Sequence, residues 1–531
     1  MPWPRAVVVA LRVATAAALV LVTAVAASRA TPPITTNSDL AVTEFYTVLA
    51  TRGQLRAGPY SRFGWHHPGP LYFYLLAPVY AASGHQAAAL FSAAVAINSA
   101  AILTLLWIGA REKQRSLAVL LAVGCLVFAW RVPRLLASPW TAHVPVLASL
   151  AFVAVCGAVV GGRHRLLPFA IAAGSFIVQT HLGYGPLVAV LSSVAVLAVF
   201  RRATSDHRPR WRILSLAGGT GLLLWIAPVT EALSHSGGNL AALWQFFMTA
   251  EAAAPSMAEA LSAWGHGLLG IFRPDLNLPW GGHFVSANPW WTVPLALVQL
   301  VALSVIAVRG LRSDRRFEGG LATCAGVASV VGLWATAQIH GDILDHEVFP
   351  LTALGVLNLA VIGTTVLRLL VPAPLSRWVR SKQVAIGVYA VVLIGCVQLG
   401  AHHFRDFTAF ELRRSERAHI PATYALIRDF LRREGARRPI IQMEGDAWSD
   451  GAGILLRLLQ ADVAFSLEEG GVRMFTDAFA PTGDEDVMVN LATREGIHQQ
   501  RAARPGNVVL RDREPLYVDA VRLGGNRPPE R

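Results

Sequence analysis

From Ala6 to Ala401 the chain alternates long apolar runs with short polar segments, and after Ala401 the pattern changes. The runs are Ala6–Ala27, Ala87–Ala110, Ser116–Trp130, His143–Gly161, Leu166–Gln179, Pro186–Phe200, Ile213–Pro228, Trp291–Val308, Gly319–Ala337, Val348–Leu369 and Val384–Ala401. A helix needs about 20 apolar residues to cross a bilayer. The pattern therefore predicts a polytopic α-helical membrane protein with about eleven transmembrane helices, the shorter runs being tilted or locally thinning the bilayer. Residues 402–531 are rich in charge and hold no run long enough to span. Helical periodicity is expected over Ala422–Glu434 and Gly451–Gln460, and strand patterning over Pro439–Met443, Val463–Leu467, Asn507–Leu510 and Leu516–Val521. The expected organisation is a membrane domain, residues 1–401, followed by a small C-terminal α/β domain, residues 402–531, with a disordered end at Gly524–Arg531.

Basic residues set the orientation. Arg111/Lys113/Arg115, Arg163/Arg165, Arg201/Arg202/Arg208/Arg210/Arg212, Arg309/Arg312/Arg315/Arg316 and Arg377/Arg380/Lys382 fall in alternate loops. The opposite loops are poorer in charge, and the longest, Val229–Pro289, offers only Arg273. Positive loops stay cytoplasmic, so the N-terminus is predicted inside and the C-terminal domain outside, as in a multi-pass protein of the bacterial inner (plasma) membrane. Ala6–Ala27 reads as an uncleaved first helix, because Arg29 intrudes on the small-residue stretch a signal peptidase would need.

Composition agrees: 54% of residues are hydrophobic and 15% charged, where a soluble protein carries about a quarter charged residues. The net charge of +13 resides largely in the orienting loops. With no basic arm or binding module, nucleic acid is not an expected partner. Cys125, Cys156, Cys324 and Cys396 lie in separate apolar runs and read as packing residues. The tail glycines Gly445, Gly451 and Gly453 form no phosphate-binding motif.

The first outer loop is the richest in chemistry. It runs Thr36-Asn37-Ser38-Asp39, continues through Glu44, and then reads Tyr60-Ser61-Arg62-Phe63-Gly64-Trp65-His66-His67-Pro68-Gly69-Pro70-Leu71-Tyr72. Its aromatic residues also suit an interfacial belt, and Thr36-x-x-Asp39 matches a helix capping box. On one helix Asp39 and Glu44 point about 140° apart, so they need not share a site.

An acidic residue soon after the first membrane helix, followed by this His-Pro-x-Pro-Leu-Tyr segment, resembles the GT-C glycosyltransferases, including the lipid A aminoarabinose transferases and protein O-mannosyltransferases. The sharpest likeness is confined to Asp39–Tyr80. The resemblance implies sugar transfer from a polyprenyl-phosphate-linked donor to a glycan, lipid or protein acceptor on the outer face. It puts Asp39 in the place of the base, with Glu44 as the alternative. Glycosyl transfer needs a base for the acceptor hydroxyl and positive charge or donors for the departing phosphate. The chain departs from the commonest family pattern in lacking an adjacent pair of acidic residues, which leaves the base and any metal dependence open.

The remaining candidates are outer-side groups. Arg62, Arg131 and Arg134 are cations placed for a phosphate or for lipid headgroups. Tyr60, Trp65, His66, His67, Trp140, His181 and Tyr184 offer hydrogen bonds and ring faces. The segment Asp342-Ile343-Leu344-Asp345-His346-Glu347 is dense in ionisable groups. A divalent metal site would draw on Asp342, Asp345, His346 and Glu347, although their spacing matches no standard ligand pattern. The rival readings are a transporter of an envelope lipid or glycan, an O-antigen-ligase or polymerase-type enzyme, and a membrane sensor. A transporter would place charge near the bilayer midplane, whereas the polar residues here gather at outer helix ends.

Overall fold

The computed structural model describes residues 5–112, 115–201, 208–234, 238–249, 254–284, 290–370 and 382–523. The end predicted to be disordered, Gly524–Arg531, lies outside the described residues, as do Lys113, Arg202, Arg377 and Arg380. The protein is a polytopic α-helical membrane protein with a small C-terminal α/β domain. Its helices are α1 (Arg5–Arg29), α2 (Ser38–Thr51), α3 (Leu71–Ala82), α4 (Ala88–Arg111), α5 (Arg115–Arg131), α6 (Pro145–Val160), α7 (Leu167–Thr180), α8 (Gly185–Arg201), α9 (Arg208–Leu224), α10 (Ile226–Ser234), α11 (Gly238–Thr249), α12 (Met257–Leu268), α13 (Thr292–Leu311), α14 (Arg316–Ala337), α15 (Asp345–Leu370), α16 (Lys382–Leu412), α17 (His419–Glu434), α18 (Trp448–Gln460), α19 (Glu469–Phe475) and α20 (Glu495–Ala502).

Ten of the eleven predicted apolar runs each fall on one helix, and Ile213–Pro228 is broken between α9 and α10. Among the described residues, five helices are long and apolar enough to cross a membrane: Ala88–Gly109, Leu182–Arg201, Thr292–Leu311, Arg316–Ala337 and Asp345–Leu370. A sixth span results if α9 and α10, bent by 52° at their junction, count as one. Ala18–Arg29, Leu71–Ala82, Ser116–Arg131 and Pro145–Val160 are apolar but shorter.

The chain falls into two compact units. The larger comprises His67–Tyr72 and Ala93–Phe407. Its core is built on α6, which packs against α7, α8, α14 and α15. Helices α6 and α14 touch backbone to backbone: a Cβ on Gly157 would come within 2.7 Å of the Leu321 Cα. Small residues at such crossings let helices pack without side chains between them. A neutral polar cluster lies inside the bundle, where the Asn358 amide donates to Ser329 Oγ at 3.0 Å and to Gln299 at 3.3 Å.

Val229–Pro289, expected as one long outer loop, contains α11 and α12 as well as most of α10. Helix α12 packs on α13, α14 and α15. Its Trp264 is fully buried and donates its indole N–H to Ser329 O at 2.8 Å. A Cβ on Gly355 of α15 would overlap the Leu268 carbonyl. The packing follows from this close approach, which an average of hydropathy over Glu259, Ser262 and His266 does not register.

The smaller unit comprises Met1–His66, Phe73–Ser92 and Thr408–Arg531. It contains a mixed five-stranded sheet in the order β2-β1-β3-β5-β4, where β1 is Pro439–Met443, β2 Ser466–Leu467, β3 Val487–Ala492, β4 Asn507–Arg511 and β5 Tyr517–Arg522. β1 runs parallel to β2 and β3, with Ile441 opposite Val489; β5 runs antiparallel to β3 and β4. The strand that sequence patterning did not mark, β3, is the middle one. Buried Asp519 ties its side of the sheet together, accepting from Asn490 at 2.8 Å, Asn507 at 3.0 Å and His498 at 3.3 Å.

Candidate active site

The smaller unit holds Asp39, Glu44, Tyr60, Arg62, Trp65 and His66. The capping box expected from Thr36 and Asp39 does not form. Thr36 Oγ1 instead donates to Glu44 Oε2 at 2.8 Å. The N-cap residue of α2 is Asn37, whose side chain makes no cap hydrogen bond; its amide donates to Asp450 Oδ1 at 3.0 Å. Asp39 lies exposed in the first turn, at the positive end of the helix dipole. Ser38 just before it has φ of 51°, a backbone state that a non-glycine residue holds only when its surroundings fix it.

Glu44 has the opposite environment. It is 3% exposed and accepts from Thr36, from the Tyr80 hydroxyl at 2.8 Å and from the Gln460 amide at 3.4 Å. Burial pushes its carboxyl from 4.5 up to about 7, against the opposing pull of these donors and of Arg457. This carboxyl links α2 to α3 and α18.

Tyr60 and His66 face each other across a tight reversal, closed by Ser61 N–H to Trp65 O at 2.8 Å. Gly64, with φ of 82°, supplies the left-handed residue of the turn. The Phe63 and Trp65 rings stack at 6.3 Å, and the Arg62 guanidinium lies over Phe63 at 4.8 Å. His66 Nδ1 is 3.3 Å from the Tyr46 hydroxyl, and burial pushes the ring pKa down.

The larger unit brings His67, Trp140, His181, Asp345 and His346 into one cluster, together with Trp280 and His143. Trp140 stacks on Trp280 at 6.0 Å and meets His346 at 5.0 Å and His143 at 4.8 Å. His143 is fixed from both sides: Nε2–H donates to Pro279 O at 2.7 Å, while Nδ1 accepts from the Ser138 hydroxyl at 2.7 Å. Asp345 holds the neighbouring loop by accepting from Gly281 N–H at 2.9 Å and Trp280 N–H at 3.3 Å.

His67 and His181 stack at 4.8 Å. Leu182 N–H donates to His67 Nδ1 at 2.9 Å and Gly183 N–H to His181 Nδ1 at 3.3 Å, so both rings carry a proton on Nε2. Burial, with His346 nearby, pushes His181 down to about 3, which keeps it neutral. The segment that carries His67 is anchored by Tyr72 OH to Pro139 O at 2.7 Å. Within it Gly69 is required, because a Cβ there would strike Gln179 and Pro228.

The outer arginines are tied into the protein. Arg131 donates to the carbonyls of Ile271 and Arg273, and Arg134 pairs with Asp406 at 2.9 Å. Tyr184 is buried edge-on to His181 at 6.0 Å. Glu347 accepts from Leu344 N–H at 3.0 Å at the start of α15, and Asp342 faces His283 at 3.5 Å. The Asp342–Glu347 run therefore does not gather around one point, and no cluster of three or more metal-ligating side chains occurs among the described residues. Trp280 and His143 were read from sequence only as part of aromatic outer segments and not as candidate site residues. Both lie in segments whose aromatic content was visible, but only the fold brings those segments together.

No protein-family model matches the chain, and no curated protein matches it. Among solved structures, the chain is similar to ArnT from Cupriavidus metallidurans bound to undecaprenyl phosphate, with a TM-score of 0.46 and 11% identity over 96% of this chain and 97% of that one. The same enzyme in the apo state gives 0.46 and 10% over the same shares. The archaeal oligosaccharyltransferase AglB from Archaeoglobus fulgidus, in complex with an inhibitory peptide and a dolichol-phosphate, gives 0.38 and 12% over 89% of this chain and 69% of that one.

Proposed function

We propose that the protein transfers a sugar from a polyprenyl-phosphate-linked donor to a cell-envelope acceptor on the outer face of a bacterial plasma membrane. About eleven crossings then leave the N-terminus inside and the C-terminal domain outside. The observation that carries this reading is the convergence of five segments on the arginine-poor side. They bring His67, Trp140, His181, Trp280 and the Asp345–His346 pair into one aromatic and histidine-rich cluster. Ring faces and neutral N–H donors suit a sugar ring and its hydroxyls.

In the reaction the acceptor oxygen attacks the anomeric carbon. The bond from that carbon to the phosphate oxygen breaks, and polyprenyl phosphate departs with the electron pair. Asp39 takes the acceptor hydroxyl proton. It is the better base because it is exposed, whereas Glu44 is enclosed by donors. The polar groups noted inside the membrane bundle, Gln299, Ser329 and Asn358, are neutral and bonded to one another. Purified protein incubated with labelled polyprenyl-phosphate sugars and envelope acceptors should release polyprenyl phosphate and glycosylated product. Binding of no donor lipid would overturn the reading.

A further inference from the structure

The three residues that lead into the Asp39 turn are held by the C-terminal domain. Arg417 donates to Thr35 O at 3.3 Å and Arg457 to Thr35 Oγ1 at 3.3 Å. Asp450 accepts from the Asn37 amide at 3.0 Å and is itself fixed by His419 Nε2 at 2.8 Å. Gly453 leaves space for the Thr36 carbonyl, which a Cβ would approach to 2.5 Å. Asn37 stands where a side chain ordinarily caps the helix. Here its amide reaches Asp450, and its Oδ1 is buried without a partner. A cap available within α2 has been given up for a contact between segments 413 residues apart. Ser38, in its left-handed state, follows directly.

We infer that the C-terminal domain is the positioning element for the base-bearing turn, with Asn37, Asp450 and His419 as positioning residues. The inference rests on Asp39 as the base. The domain acts on the transfer step by fixing where α2 begins, and a misplacement of about 1 Å at a reacting group can cost about a hundredfold in rate. Arg417, anchored by its buried ion pair with Glu411, and Arg457 hold the segment ahead of the turn.

The test combines kinetics with hydrogen exchange on full-length protein in detergent or nanodiscs. Asn37→Ala and Asp450→Ala should each lower kcat about tenfold or more with donor KM within about twofold. The double variant should be no worse than the poorer single one, because both remove the same contact. Asp450→Asn, which keeps an acceptor for Asn37, should recover part of the loss. The amides of residues 36–41 should exchange faster in both alanine variants while the sheet amides stay unchanged. Wild-type exchange in Asp450→Ala, or kcat losses that multiply in the double variant, would overturn the inference. A lowered Tm with unchanged kcat per folded molecule would reduce the contact to a stabilising one and overturn it as well. If the wild type turns over no donor lipid, the transfer reading falls, and the exchange of residues 36–41 alone decides whether the domain holds the turn.

Discussion

The two units handle polar side chains in different ways. Around Glu44 and Asp450 in the smaller unit, side chains bond to one another: Glu44 accepts from three donors, Asp450 takes both Asn37 and His419, and Arg417 pairs with Glu411. Around the ring cluster of the larger unit, backbone groups orient several side chains, as with His143 on Pro279 O, Asp345 on Gly281 N–H and His67 on Leu182 N–H. Mutually satisfied networks make shape and rigidity. Rings oriented by backbone keep faces and edges for something else. Asp39 is an exposed carboxylate on a turn whose flanks are fixed, and it is the residue proposed as the base.

The contrast can be broken at either end. Asp39→Asn should reduce sugar transfer by about 10²–10⁴, the usual contribution of a positioned base, with donor binding retained in a direct lipid-binding assay. Glu44 should act on stability instead. Its folded pKa of about 7 lies above the 4.5 of an ordinary glutamate, so the folded state holds its proton while the unfolded chain has lost it. The stability contributed is full below pH 4.5, declines as pH rises, and is lost above about pH 7, a change of about 3 kcal/mol. Thermal melts between pH 4.5 and 7.5 should show this slope, and Glu44→Gln should flatten it.

Smaller effects sharpen the comparison. Arg131→Ala strands two carbonyls and should cost about 1–3 kcal/mol in denaturant or thermal melts, with donor KM unchanged; a large rise in KM would instead make Arg131 a phosphate contact. Trp140→Ala should raise KM about five- to tenfold through loss of an aromatic face, and Trp140→Phe should restore most of it. Arg62→Ala, at an exposed site over Phe63, should change turnover less than about twofold, since surface substitutions away from packed features have small effects.

Much of the helical layout was legible because a bilayer crossing imposes length and hydropathy on the sequence. Helix α12 was not, since its burial depends on glycines that let backbones touch, with Gly355 against Leu268 as the clearest case. Strand β3 escaped because a middle strand covered on both faces loses its alternation; Val487, Val489, Asn490, Leu491 and Ala492 are all buried. Pro439–Met443 was read with the bounds the structure gives it. At the site, residue types were legible but their partners were not. Thr36 and Asp39 fit a local capping box, yet Thr36 bonds to Glu44 further along α2 and Asn37 to the distant Asp450. Trp280 pairs with Trp140 across 140 residues of chain, a distance over which no local spacing carries information.

The most direct measurement is single-turnover transfer from a panel of radiolabelled polyprenyl-phosphate sugars by wild-type protein and Asp39→Asn, with donor binding measured in parallel. The wild type should give labelled product and released polyprenyl phosphate, and Asp39→Asn should bind donor but lose transfer. Full transfer by Asp39→Asn would remove Asp39 as the base, and failure of the wild type to bind any donor lipid would contradict the transferase account itself.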